Sequence, residues 1–378
     1  MTKIQKDNKN VAKFPNLRFP GFGGEWETRK LGEVCEINPK NGNLPQSFIY
    51  IDLESVENGR LMKEDVISID EAPSRAQRIL LRNDVLFQMV RPYQKNNLFF
   101  DKEGKYVAST GYAQIRTKQN SQFIFQYLHN QKFVDRVIER CTGTSYPAIN
   151  SADLGNIRID YPSLEEQEKI STFLSLVDKR IQTQNKIIEE LKLLKITLRY
   201  QLYEQILNQE NEYVQVKDTL NYEQPTKYLV TNTDYSSDIS LIPVLTANKA
   251  FVLGYTNEEF GIYDKGQCII FDDFTMDIKF VNFPFKVKSS AIKILTAKPN
   301  VNLKFVFEYL LFLNLSSNEH KRHYISEIEP MEMQLTNYVQ QTYVADFLSS
   351  IDDKIKTEFE IHTLLIKQKQ YLLANLFI

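Results

Sequence analysis

Between Leu164 and Leu207 apolar residues return at steps of three and four, at Ile170, Leu174, Val177, Ile181, Ile188, Leu191, Leu198 and Leu202. That period predicts an amphipathic helix with a coiled-coil seam, roughly 66 Å long at 1.5 Å per residue. The pattern is written again 174 positions later, at Val344, Leu348, Ile351, Ile355, Leu365, Leu372 and Leu376. Phe173-Leu174-Ser175 reappears as Phe347-Leu348-Ser349, and Val177-Asp178 as Ile351-Asp352. Polar residues interrupt both seams at matching places, Gln184 with Glu358 and Lys195 with Lys369, as register-setting positions do. Matching interruptions favour two helices that pair with each other over two that pack independently on their own domains.

Shorter patterns fill the space before each helix, and their order also repeats. Asn83-Asp84 leads into the apolar run Val85-Leu86-Phe87 as Gly266-Gln267 leads into Cys268-Ile269-Ile270-Phe271. The strand Ala113–Arg116 precedes a helix near 122–139, and Ala291–Leu295 precedes one near 303–315. Alternating residues Leu154, Ile157 and Ile159, then Ile328, Met331 and Met333, predict a closing strand that feeds each long helix. Tyr50–Leu53 and Leu241–Leu245 are predicted opening strands. The expected fold is mixed α/β: two similar domains separated by two long antiparallel coiled-coil helices, with a pseudo-two-fold internal repeat. The predicted boundaries are a first domain at 1–162, a first helix at 163–210, a second domain at 211–336 and a second helix at 337–378. Ser163 is a predicted N-cap, with Glu166 three positions on.

Composition narrows the class. A chain of 378 residues that is 42% apolar and 25% charged is large enough for two folded cores. Three cysteines, Cys35, Cys141 and Cys268, are too few and too scattered for a disulfide framework or a cysteine metal site, which points to a reducing, cytoplasmic setting. No apolar run reaches membrane-spanning length, and the polar start Met1–Asn10 does not read as a signal peptide. Four histidines without H-x-x-x-H spacing give little material for metal catalysis or a histidine triad. The net charge of −2 excludes nucleic-acid binding by bulk positive charge, although residues 1–162 carry 23 basic and 19 acidic side chains against 12 and 16 in 211–336. Any DNA contact must come from local clusters.

Three segments imitate catalytic motifs. Phe19-Pro20-Gly21-Phe22-Gly23 has the F-x-G-x-G spacing of a methyltransferase loop, but no strand precedes it and Pro15 and Pro20 sit in polar sequence. Asn282-Phe283-Pro284-Phe285 is close to the N-P-P-F of amino-methyltransferases, with phenylalanine replacing the second proline, and reads better as a bent strand. Asp272-Asp273 followed by Asp277 and Lys279 suggests a metal-dependent nuclease, in which carboxylates would hold a cation and the lysine would face the attacking water. The spacing fits one polar hairpin loop better.

The joints of the chain carry a family resemblance. Phe14-Pro15-Asn16-Leu17-Arg18-Phe19-Pro20-Gly21-Phe22, Glu25-Trp26-Glu27 and Lys30-Leu31-Gly32-Glu33-Val34, together with Pro162-Ser163-Leu164-Glu165-Glu166-Gln167-Glu168-Lys169-Ile170, resemble the specificity (S) subunit of Type I restriction-modification enzymes. The second joint, Thr336–Gln341, keeps only the glutamine of that signature. The resemblance covers essentially the whole chain. It implies a non-catalytic reader of double-stranded DNA with two target-recognition domains, each addressing half of a split sequence. Two methyltransferase (M) subunits would dock on it and restriction (R) subunits could join. S-adenosylmethionine would belong to the M subunits and ATP with Mg²⁺ to the R subunits, so no cofactor or metal is expected on this chain. A methylation-only or single-chain restriction system, a coiled-coil scaffold and a free-standing nuclease are the alternatives.

A reader of base edges needs Arg, Lys, Asn, Gln, Ser or Thr on a presented surface. In the first domain the candidates are Arg75, Gln77 and Arg78, then Gln88, Arg91, Tyr93, Gln94, Lys95 and Asn96 around the Val90-Arg91-Pro92-Tyr93 turn. Thr144, Ser145 and Tyr146 form a polar loop suited to phosphate. In the second domain they are Thr275, Lys279, Lys286 and Lys288, the last two expected on one side of the sheet by the period of two, and also Lys293. The basic and aromatic run His320, Lys321, Arg322, His323 and Tyr324 completes the set.

Overall fold

The computed structural model describes residues 14–57, 59–246, 250–316 and 321–378, so Met1–Asn10 and His320 lie outside the described residues. The chain divides into two compact units, residues 1–185 with 360–378 and residues 186–359. Each unit therefore holds a segment of both long helices, which span Leu164–Leu207 and Tyr338–Leu376. No described helix is long and apolar enough to cross a membrane.

In unit 1 a four-stranded antiparallel sheet is ordered Cys35–Ile37, Tyr112–Thr117, Asp84–Gln88, Leu98–Phe100. Every residue of Asp84–Gln88 is buried, which is why that run reads as continuously apolar rather than alternating. A second sheet is ordered Val66–Ser68, Ser47–Ile51, Tyr106–Ser109, Ala76–Ile79, with a parallel pair between its two middle strands. Glu27–Lys30 pairs antiparallel with Arg158–Tyr161, joining the start of the unit to the strand that feeds the long helix. The core sets Trp26, Phe123, Tyr127 and Phe133 against Ile170 and Leu174 of the first long helix, Leu373 and Leu376 of the second, and Phe377 just after it.

Unit 2 repeats the plan. Its antiparallel sheet is ordered Leu220–Glu223, Ile292–Ala297, Cys268–Asp272, Ile278–Val281, and again the strand Cys268–Asp272 is wholly buried. The smaller sheet is ordered Val252–Thr256, Ile242–Leu245, Lys286–Val287, with the last pair parallel. Glu212–Gln215 pairs with Glu332–Leu335 as Glu27–Lys30 pairs with Arg158–Tyr161. Tyr203, Ile206, Val344 and Leu348 of the long helices share a core with Phe305, Tyr309 and Leu310.

The long helices start with matching caps. The Ser163 hydroxyl accepts the Glu166 N–H at 3.4 Å, and the Asn337 side chain accepts the Gln340 N–H at 3.0 Å. Glu166 does not return to the cap, because Arg18 takes both its carboxylate oxygens at 2.8 and 2.7 Å. Gln167 and Gln341, the one residue common to both joints, do the same work. Gln167 donates to the Pro162 carbonyl and accepts from the Asn120 N–H, while Gln341 donates to the Thr336 carbonyl and accepts from the Asn302 N–H.

Three element expectations are corrected. The helix expected near 122–139 is two helices, Ser121–Tyr127 and Gln131–Ile138, because Asn130 caps the second through the Lys132 N–H and donates to the Leu373 carbonyl. Leu154 lies in a helical turn, Ser151–Gly155, and Ile328 in another, Tyr324–Ile328, so the closing strands are shorter than the alternation suggests.

Candidate nucleic-acid interface

In unit 1 the buried strand Asp84–Gln88 runs out into a tight turn. Val90 bridges Ala148, and the Arg91 N–H donates to the Pro147 carbonyl at 2.8 Å, so this turn and the 142–148 loop form one surface. Arg91 has φ 53° and ψ 53°, and Lys95 has φ 54°, both in the left-handed region that side chains other than glycine seldom adopt. Gln88 stitches the loop together from beneath. Its amide donates to the Gln94 side chain at 2.9 Å, its carbonyl oxygen accepts the Asn96 N–H at 3.1 Å, and its own N–H donates to the Asn97 side chain at 2.9 Å. Lys95 donates to the His129 carbonyl at 3.2 Å and to Gln131 at 2.7 Å, and the Asn96 amide donates to the Val56 carbonyl.

What this frame presents is Arg91 and its neighbours. The guanidinium carbon of Arg91 stands 4.1 Å from the centroid of the Tyr146 ring. Tyr146, Tyr93, Thr144 and Ser145 are exposed. Arg75, Gln77 and Arg78 sit on the other sheet, at and before the strand Ala76–Ile79. Arg75 and Gln77 are exposed, whereas Arg78 is half-buried, and burial lowers its pKa.

In unit 2 the strand Cys268–Asp272 leads into the equivalent turn. The His323 N–H donates to the Asp273 carbonyl at 3.0 Å, joining the turn to the later segment before the closing strand, with the turn accepting here where Arg91 donates to Pro147. Thr275 is exposed, Lys279 is half-buried on its strand, and Lys288 is exposed. Arg322 and Lys321 are both at least half-exposed, with Lys321 2.9 Å from Glu327 and Arg322 4.0 Å from Asp273.

Several expected contact residues turn inward. Gln88 is buried and organises the loop, so it is not a base reader. Lys286 is fully buried, 2.7 Å from Glu258 and 2.7 Å from the Phe260 carbonyl. Burial opposes ionisation of Glu258, yet Lys286 and the Thr231 hydroxyl, with backbone N–H groups of Thr231 and Asn232, hold its pKa at about 2. The strand ends at Val287, so Lys286 and Lys288 do not share a face. Tyr324 is a core residue packed edge-on against Phe271 and Tyr222, and Lys293 is buried 3.5 Å from Asp273.

The catalytic look-alikes have structural work. Asp272 accepts the Phe274 and Thr275 N–H groups, and Asp273 accepts those of His323 and Tyr324. The other oxygen of Asp273 faces Lys293 at 3.5 Å and Arg322 at 4.0 Å. Arg18 binds the Gly23 and Gly24 carbonyls, which ties the F-x-G-x-G segment to Glu166. Phe285, which follows Pro284, stacks on Tyr263 at 4.9 Å in the core. Sequence reasoning missed Asp273 and Glu258 as organisers, since each works on residues distant in the chain.

Two solved chains have the same fold over nearly their full length. The S subunit of a Type I restriction-modification system from M. genitalium aligns with 96% of this chain and 99% of its own at a TM-score of 0.63 and 15% identity. A chain from a type I R-M system studied for complex assembly and conformational transition aligns over 96% and 99% at 0.58 and 19%. This chain therefore shares their fold, two mixed α/β domains with long helices. Residues 23–193 match the family described as the Type I restriction modification DNA specificity domain. The specificity subunit of Type I restriction enzyme EcoR124I/EcoR124II from Escherichia coli is 49% identical over 123 residues, which is 31% of this chain and 30% of that protein. The HindI specificity subunit from Haemophilus influenzae is 22% identical over 177 residues, 44% of this chain and 38% of that protein. The matched stretch is about a third of the length of each of these relatives. Over residues 23–193 this chain is therefore similar to Type I restriction-modification specificity subunits.

Proposed function

We propose that this chain is the non-catalytic DNA-specificity subunit of a Type I restriction-modification complex. Residues 1–162 and 211–336 each read one half of a split target in double-stranded DNA, and the segments 163–210 and 337–378 fix the spacing. The observation that carries this reading is the duplicated interface: in both units a buried strand delivers a polar turn that is hydrogen-bonded to the loop before the closing strand. Two equivalent presented surfaces in one chain suit a target with two parts. On this reading two methyltransferase subunits dock on the chain and carry S-adenosylmethionine. Restriction subunits, which use ATP and Mg²⁺, join them, and this chain itself takes no cofactor in the cytoplasm. Affinity comes from phosphate contacts by the exposed Lys and Arg, and sequence choice from a few side chains at base edges.

Selection of bound sites from random double-stranded DNA, with the chain co-expressed with its methyltransferase subunit, tests this. Two fixed blocks separated by unspecified bases are expected. Enrichment of one contiguous block, or of none, would contradict it.

A further inference from the structure

We propose that Arg91 reads a guanine edge in the half-site addressed by unit 1, with Tyr146 as its positioning residue. This rests on the DNA-reading function above and assigns one base to one side chain.

The backbone provides the first argument. Arg91 is left-handed and immediately precedes Pro92, a position where proline further disfavours helical-type backbone, so a side chain there is held at a cost. Glycine would make the same turn without strain. Formation of the turn therefore does not account for an arginine. The surroundings nonetheless impose the conformation, through the Arg91 N–H on Pro147, the Gln94 N–H on the Arg91 carbonyl at 3.0 Å, and Gln88 beneath.

The second argument is that the guanidinium is uncommitted. In the same unit Arg18 and Arg116 each grip a carboxylate with two nitrogens, Glu166 and Asp84 respectively. Arg91 makes no ion pair among the described residues, and its buried Nε has no hydrogen-bond partner there. It lies instead over the Tyr146 ring, an arrangement that fixes the plane of the group while leaving its terminal N–H groups for a ligand. Tyr146 is itself 64% exposed, so the pair stands at the surface.

Chemistry selects the ligand. A planar fork with parallel N–H donors matches guanine O6 and N7, the commonest base-specific contact of arginine, and the same fork also pairs with phosphate. We assign the base edge because the guanidinium plane is set in advance over Tyr146, and the two ligands differ in outcome, since loss of a phosphate contact weakens binding equally on all sequences.

The test measures binding of the full chain with its methyltransferase subunit to duplexes in which each base pair of the two selected blocks is replaced in turn. Wild type should disfavour loss of one guanine by about 5- to 150-fold. Arg91→Gly should reduce that preference to within about twofold and Arg91→Lys should weaken it, leaving other positions unchanged. Arg91→Gly relieves backbone strain, so a thermal transition no lower than wild type separates lost reading from lost folding. Tyr146→Phe should keep the preference and Tyr146→Ala should weaken it. Discrimination retained by Arg91→Gly, equal weakening on all sequences, or relaxation at a base other than guanine would overturn the assignment. A wild-type complex that selects no two-block target would instead overturn the parent reading.

Discussion

Lys286 and Lys288 are two positions apart and have opposite fates. Lys286 is enclosed with Glu258, while Lys288 is in solvent one residue beyond the strand. Removing one partner of a buried pair leaves an uncompensated charge, so Lys286→Ala should destabilise unit 2 by about 3–5 kcal/mol in denaturant unfolding. Lys288→Ala should change stability by no more than about 0.5 kcal/mol. If Lys288 meets a phosphate, the same substitution lowers the slope of log affinity against log salt by about one. The sequence could not separate these lysines, because the carboxylate that decides the burial of Lys286 comes from a different part of the chain. Arg91 was legible as a candidate since it follows a buried strand and precedes proline, but its stacking on Tyr146 depends on a bridge between distant segments.

At the scale of elements, the helix seams were readable because one period persists through the 44 and 39 residues of the long helices. The break between Tyr127 and Gln131 was not, because Asn130 acts through a carbonyl of the second long helix. The two units differ where those helices meet the domain helix. In unit 2, fully buried Glu308 lies 2.8 Å from Lys195, 2.8 Å from Arg199 and 3.1 Å from Lys304, and Asp352 shares Lys195 and Lys304. The corresponding place in unit 1 holds neutral Gln126, which donates to Asp178 at 2.7 Å beside a single lysine, Lys369. Burial alone would raise the pKa values of Glu308 and Asp352, but Lys195 and the other cations outweigh it and hold both carboxyls below their ordinary range. A carboxyl depressed in the folded state contributes stability that is present above its unfolded pKa and is lost as pH falls from that value through the folded one. Unit 2 should therefore lose stability as pH falls below the ordinary carboxylate range. Glu308→Gln should cost about 3–5 kcal/mol at neutral pH by leaving Arg199 without a carboxylate and Lys195 and Lys304 with Asp352 alone, and should flatten the acid dependence. Equilibrium unfolding across that pH range checks both, and an acid dependence as steep in the variant as in wild type would assign it to other groups.

For the whole molecule, the repeat was the most legible feature, because two copies of a joint keep their spacing even when few letters survive. Gln167 and Gln341 retain their bonds although the residues around them have diverged. The proposed account makes the long helices the determinant of target spacing, and this can be changed without touching either presented surface. One matched heptad inserted into each helix, near Gln184 and near Glu358, keeps the seam in phase and adds roughly 10 Å of helix. At about 3.4 Å per base pair that is around three base pairs of B-DNA. Sites selected from random DNA by this variant, co-expressed with its methyltransferase subunit, test the central claim most directly. The account predicts unchanged bases in both blocks and a gap longer by about three base pairs, with affinity reduced where rotation about the duplex disturbs phase. An unchanged gap, or altered blocks at the original gap, would contradict it.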